Sequence, residues 1–277
     1  MKKKIVLMLT VIMLIGLAGC GKNQINIKET GTSDNNEQMV QKIYENKRTE
    51  VKQKISEIKE RLPETSAEDK GTCGSKAKWY YKDNTLIIYG EGVITEDTWH
   101  KSNIVINTVV IDSGITKLGN NMFSGLGSEV GKNIENFYIA DGLEEIGSST
   151  FVNCDCLSEI VLPPSLYFID GYTFASCDSL KNVYMTDGVE KIGDSAFTGC
   201  KSLDSIFIPK TVLAIGNGVF TGCKNLSDIQ ISKDNRIFSE KNNCIINNDT
   251  KTLIYAINKD FSIPDDILCI AEDAIIF

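Results

Sequence analysis

The stretch GVEKIGDSAFTGCKSLDSIFIP, from Gly188 to Pro209, recurs with few changes on both sides of itself. Phe197 has counterparts at Phe151, Phe174 and Phe220, each 23 residues apart, and Cys200 has Cys154, Cys177 and Cys223 at the same step. Leu157, Leu180, Leu203 and Leu226 keep that register, as do Ile146, Ile169, Ile192 and Ile215. Several columns sharing one period mark a repeat architecture. Inside the unit, Ile206 and Ile208 alternate as a strand requires, and Leu203 enters from the preceding turn. Val212, Ile215 and Phe220 predict a short helical or irregular turn on the opposite side. Gly216, like Gly119, Gly147 and Gly193, marks a bend where a Cβ is costly. One unit has an apolar stripe and no interior of its own. Stacked on copies it builds a continuous core, which is a solenoid.

The pattern extends outward. Leu118 and Phe123 precede Ile146 and Phe151 by 28 residues, one period plus an insertion in GLGSEVGKN, Gly125 to Asn133. Downstream, NNCIINNDTKTLIYAI breaks the register with a hairpin around Asn247 to Lys251, and SIPDDILCIAEDAI returns to it. The solenoid is expected over 108–277, stopping part-way through a repeat. Before it, Lys78–Tyr81 and Thr85–Tyr89 flank Asp83-Asn84, a hairpin signal, so residues 73–107 read as a β capping segment. Residues 37–62 are helix-forming, with Val51, Ile55, Ile58 and Leu62 on one face and Pro63 as the stop. A spacer is the favoured role for this helix; a cap packed on the following domain and a self-association element are the alternatives.

The first residues, MKKKIVLMLTVIMLIGLAGC, place three lysines before an apolar run of about 14 residues, short of the roughly 20 a membrane span needs. The pattern is that of an export signal over 1–19. Leu17-Ala18-Gly19-Cys20 resembles the lipobox of bacterial lipoproteins, which implies cleavage before Cys20, acylation of its thiol and a lipid anchor in the membrane. Residues 20–72 then hold the lipidated terminus, a polar tether and the helix. The formal charge of −8 becomes −11 once the three leading lysines are gone, which disfavours nucleic acid as a partner.

The repeat quoted above resembles the BspA-like leucine-rich repeat of bacterial surface proteins. Cys73-Gly74, Trp79, Leu86, Ile88, Gly90, Gly92 and Trp99 resemble the β segment that often precedes those repeats. The resemblance implies a β-rich leucine-rich-repeat solenoid with one parallel strand per repeat, on the extracytoplasmic face of the cell membrane, with adhesion or host interaction as its work. Asp170 and Ile275 depart from the pattern, standing where glycine and phenylalanine are usual.

Nothing in the chain assembles catalysis. His100 is the sole histidine, and no nucleophile motif lies near it. Phosphate-loop, dinucleotide and zincin motifs are absent, so no cofactor and no metal are expected. Cys154, Cys177, Cys200 and Cys223 fall one per coil, a row rather than the tetrahedron zinc needs. Buried free thiols are the favoured reading, with some bridging as the alternative. Cys156 takes the outward place held elsewhere by Ser179, Ser202 and Asn225, and is the best candidate for a reactive thiol.

Binding surfaces on solenoids form from one position repeated along the axis. The residue between the two inward strand positions gives the column Val110, Tyr138, Val161, Tyr184, Phe207 and Gln230. Its aromatic members form an outward apolar stripe, the kind of surface that marks a partner site. The expected function is non-catalytic recognition of a host or cell-surface protein or matrix component through this face. A carbohydrate-binding or cell-wall scaffold module is the alternative, as is an accessory part of a larger surface enzyme.

Overall fold

A computed structural model of the chain describes residues 33–99, 104–125, 129–256 and 261–275. The signal segment, Cys20 and His100 lie outside the described residues. The first element is α1 (Ser33–Arg61), rich in Glu, Lys and Gln, good helix formers, and ended by Pro63. It begins earlier than expected and lies against the rest of the chain: of the three roles open to it, the structure displays the packed one.

β1 (Asp69–Thr72), β2 (Lys76–Lys82) and β3 (Thr85–Ile94) form an antiparallel cap. Asp83 and Asn84 turn the hairpin with φ of 47° and 56°, the left-handed values such tight turns demand. The solenoid follows, and each coil carries two strands rather than one. The longer strands are β4 (Thr108–Ile111), β6 (Asn136–Ile139), β8 (Glu159–Val161), β10 (Asn182–Tyr184), β12 (Ser205–Ile208) and β14 (Asp228–Ile231). The shorter ones are β5 (Ile115–Leu118), β7 (Glu145–Ile146), β9 (Phe168–Ile169), β11 (Lys191–Ile192) and β13 (Ala214–Ile215). β3 joins both rows: it pairs in parallel with β4 and with β5, so the cap seeds two sheets at once. The insertion carries α2 (Glu129–Asn133). The short helical or irregular turn expected opposite the long strands thus carries a second row of strands, most of them two residues long.

The hairpin signal near Asn247 resolves into β15 (Phe238–Lys241), β16 (Cys244–Asn247) and β17 (Thr252–Ala256), with β18 (Cys269–Ile270) beside β17.

The core is one column of rings. Phe123, Phe151, Phe174, Phe197 and Phe220 stack with centroids 5.1–5.9 Å apart and planes within 3–10° of parallel. Trp99 closes the stack at one end at 5.4 Å and Tyr255 meets it edge-on at the other at 5.5 Å. The cysteines do more than fill space. Each Sγ donates to the phenylalanine carbonyl of the preceding coil: Cys154 to Phe123, Cys177 to Phe151, Cys200 to Phe174 and Cys223 to Phe197, at 2.9–3.2 Å. The cysteines of the described residues are free thiols.

The glycine column has a different cause from the one expected. Gly119, Gly147, Gly193 and Gly216 are not in the left-handed region; a Cβ there meets the backbone of the neighbouring coil, at 2.6 Å from Gly171 N in the case of Gly193. Close approach of coils, not a bend, excludes the side chain.

Candidate functional site

The outward column is laid down by strand pairing. Tyr80 pairs with Ile87, Ile87 with Val110 and Val110 with Tyr138; Val161 pairs with Tyr184, and Phe207 with Gln230. The sequence reading thus missed two members, Tyr80 and Ile87, because they sit in the cap and outside the repeat period.

α1 covers most of this column. Tyr44, Val51, Ile55, Ile58 and Leu62 are buried against Tyr80, Ile87, Val110 and Val161, with Tyr89, Tyr138, Ala140 and Tyr184 partly buried beside them. This apolar cluster is separate from the ring-stack core. Val110 and Val161 are fully enclosed, while Phe207 and Gln230 are half-buried and lie outside the cluster. The stripe is therefore divided into a part packed against the apolar face of α1 over the first coils and a half-buried part at β12 and β14.

Polar contacts fix the helix coil by coil. Tyr80 Oη donates to Leu62 O at 2.9 Å, and Tyr44 Oη to Leu162 O at 2.8 Å. Lys59 pairs with Asp112, Lys52 with Asp141 and Lys47 with Glu159 at 2.5, 2.6 and 3.0 Å. Lys47 Nζ also stands 5.5 Å from the Tyr184 ring centroid. Farther along, Thr186 Oγ1 donates to Gln41 Oε1 and Ser232 Oγ to Glu37 Oε1.

Among the described residues, Arg48 is the one charged side chain driven into the interface, at 6% exposure. The ladder of long strands breaks between β6 and β8, and Arg48 enters at the break. Its guanidinium donates to Ile139 O at 2.9 Å, reaches Val161 O at 3.4 Å and pairs with Asp141 at 2.7 Å. Its Nε has no hydrogen-bond partner among the described residues. The heptad spacing 44, 48, 51, 55, 58, 62 puts Arg48 in an apolar slot, which is the sequence signal that could have found it.

The electrostatics follow from enclosure. Burial works against the charge on Lys47, yet the Glu159 hydrogen bond outweighs it and holds the ammonium pKa above its ordinary value. Burial also raises Asp141, but the bonds from Lys52 and Arg48 overrule it and hold the carboxyl below its usual range. Burial lifts the phenols of Tyr138 and Tyr184, and pushes Tyr44 up to about 12. Among the described residues no group of three or more His, Cys, Asp or Glu side chains is placed to hold a metal.

A two-sheet solenoid with cysteine at each corner and aliphatic strand positions defines a recognisable repeat, and residues 129–250 match the BspA type leucine rich repeat region in 6 copies. This stretch is a BspA-type leucine-rich-repeat region. Two solved structures share the fold. One is a leucine-rich repeat protein from Eubacterium ventriosum ATCC 27560, at 22% identity and a TM-score of 0.63, covering 73% of this chain and 55% of that one. The other is the pneumococcal vaccine antigen PcpA, at 17% identity and a TM-score of 0.55, covering 75% of this chain and 62% of that one. The chain thus spans little more than half the length of the first. No curated protein matches it. Among the described residues no helix is long and apolar enough to cross a membrane.

Proposed function

We propose that this is an exported, lipid-anchored binding protein of the bacterial surface, without catalytic activity, that recognises a protein or matrix partner through its long-strand sheet face. The aromatic column carries the reading: Tyr138, Tyr184 and Phe207 stand in one line across the strands, the first two partly buried beside α1 and Phe207 half-buried beyond its apolar cluster, and aromatic surface of this kind favours recognition. Polar side chains flank it, as the rim of a binding patch requires. The start of the chain supports the location. A basic segment, a short apolar run and Leu17-Ala18-Gly19-Cys20 fit export followed by acylation of Cys20, and two or more acyl chains hold a protein on a membrane durably.

The test is capture of matrix and cell-surface proteins by the mature chain, compared with a variant carrying serine at Tyr138, Tyr184 and Phe207. Loss of capture with an intact thermal transition supports the reading. Unchanged affinity for every captured protein removes the stripe as the site. Metabolic labelling with a radioactive fatty acid tests the anchor, and Cys20→Ser abolishes the label.

A further inference from the structure

The face beneath α1 has a chemistry specific enough to define what it accepts. Its floor is apolar and aromatic: Ile87, Val110, Tyr138, Val161 and Tyr184. Its rim bears carboxylates over three successive coils, Asp112, Asp141 and Glu159, each paired with a base from the helix. α1 answers with an apolar stripe and with Lys47, Arg48, Lys52 and Lys59 toward that rim. A trough of this kind reads an amphipathic helix by its apolar anchors and sets its register by charge.

Three features make α1 an exchangeable occupant. First, its apolar cluster is separate from the phenylalanine column, so its departure leaves the solenoid core closed. Second, its grip is uneven. The C-terminal end is tied by Val51, Ile55, Ile58, Leu62 and the Tyr80 hydrogen bond. Before Tyr44 the hold is lighter: Met39 is 39% exposed, the Thr186–Gln41 bond is exposed to solvent, and the Ser232–Glu37 bond is a single part-buried contact. Third, Phe207 and Gln230 continue the same column, half-buried, outside that cluster, so the column extends past the apolar grip of α1 at its lightly held end.

We infer that the sheet face under α1 is a docking site for a basic amphipathic helix of another protein, with α1 as its resident, displaceable occupant. This rests on the sheet face being the partner-binding surface. The chain's net charge of −8 attracts such a helix at long range. The partner displaces α1 from the Phe207 end, and the acidic rim fixes the direction in which it lies. Local opening of a terminal element with its own small cluster is the usual low-energy fluctuation of a protein.

The experiment uses the full mature chain and a fluorescent synthetic peptide of residues 37–62 as the probe. A chain carrying Val51→Ser, Ile55→Ser and Ile58→Ser releases α1 without touching the ring column. It is expected to bind the peptide at least 10-fold more tightly than the unaltered chain. A peptide with Lys47, Arg48, Lys52 and Lys59 reversed to Glu is expected to bind at least 10-fold more weakly, as is a released chain with Asp112→Asn, Asp141→Asn and Glu159→Gln. In the unaltered chain, amides of α1 before Tyr44 are expected to exchange with deuterium at least 100-fold faster than those of β8 and β10.

Equal protection of α1 and these strands overturns the proposal, because the helix is then an integral part of the fold. So does a released chain that keeps its near-ultraviolet spectrum and melting transition but binds no peptide, or binds the charge-reversed peptide equally well. Concentration-dependent dimers of the unaltered chain that the rim substitutions dissociate overturn it in favour of helix exchange between two copies. Each failure is distinguishable from failure of the wider binding reading, since capture of surface proteins by the mature chain is measured separately.

Discussion

The hydroxyl of Tyr255 donates to the carbonyl of Phe220 at 3.1 Å, the same service that the Cys223 thiol performs for Phe197 at 3.0 Å one coil earlier. The hairpin that interrupts the repeat thus supplies what a further coil's cysteine would supply. Its ring also meets Phe220 edge-on, and burial lifts its phenol well above the ordinary value. Tyr255→Phe removes one of two donors to the Phe220 carbonyl, which keeps the Cys223 N–H, and is expected to cost about 0.5–1.5 kcal/mol, read from urea unfolding. Tyr255→Ala removes the ring as well and is expected to cost about 3–5 kcal/mol.

The thiols divide by burial. Cys156 and Cys269 are exposed, and the other described cysteines are buried. Burial pushes the Cys73 thiol up to about 12 and lifts Cys177, while the Cys223 hydrogen bond and burial together lift Cys200. Thiolate is the reactive form. Brief iodoacetamide treatment of the native chain at pH 8, mapped by mass spectrometry, is expected to label Cys156 and Cys269 among the described thiols. The rest label only in denaturant.

Asp141 ties α1 to the second coil through Arg48 and Lys52. Its folded pKa lies below the unfolded value of about 3.9. The stabilisation it gives is therefore complete above that value and is lost as pH falls through the folded one. Hydrogen exchange of α1 is expected to accelerate below about pH 4 ahead of the strands. Asp141→Asn is expected to remove that component and to loosen the helix at neutral pH by about 1–2 kcal/mol, less than for a wholly buried pair because the carboxylate is 43% exposed.

Coil spacing sets a contrast between two neighbouring corner positions. Gly193→Ala places a methyl 2.6 Å from Gly171 N, so two coils must part, at an expected cost of about 1–3 kcal/mol. Tyr172 holds φ of 57° with its side chain half exposed, a strained conformation for that residue. Tyr172→Gly relieves the strain and loses unfolded-state restriction, so its net effect is expected within about 1 kcal/mol. Thermal melts of the two variants separate the cases.

The columns of Phe, Cys, Leu and Ile were legible because each has one role per coil and the coils share a period. The hairpins at Asp83-Asn84 and Asn247 to Lys251 were legible from turn chemistry. Strands such as β7, Glu145–Ile146, were not, because two residues display no alternation. The covered state of the stripe was hidden for two reasons. Arg48 interrupts the apolar face of α1, so only the Val51 to Leu62 half stood out. The carboxylates that receive the helix occupy different places in their repeats: Asp112 directly after β4, Asp141 two residues past β6, and Glu159 at the start of β8. A rim assembled from unequal positions leaves no column to read.

The phenylalanine stack ends on side chains that ask only for another ring beside them, Trp99 at one end and Tyr255 at the other. Insertion or deletion of a whole coil between these bookends leaves every ring with two neighbours, so the core by itself tolerates any number of turns. The helix does not. Its contacts run from Lys59 on Asp112 to Glu37 on Ser232, marks set at fixed heights along the stack. Adding a turn to the solenoid would put those marks out of step, so α1 acts as a gauge of coil number that the repeats themselves lack.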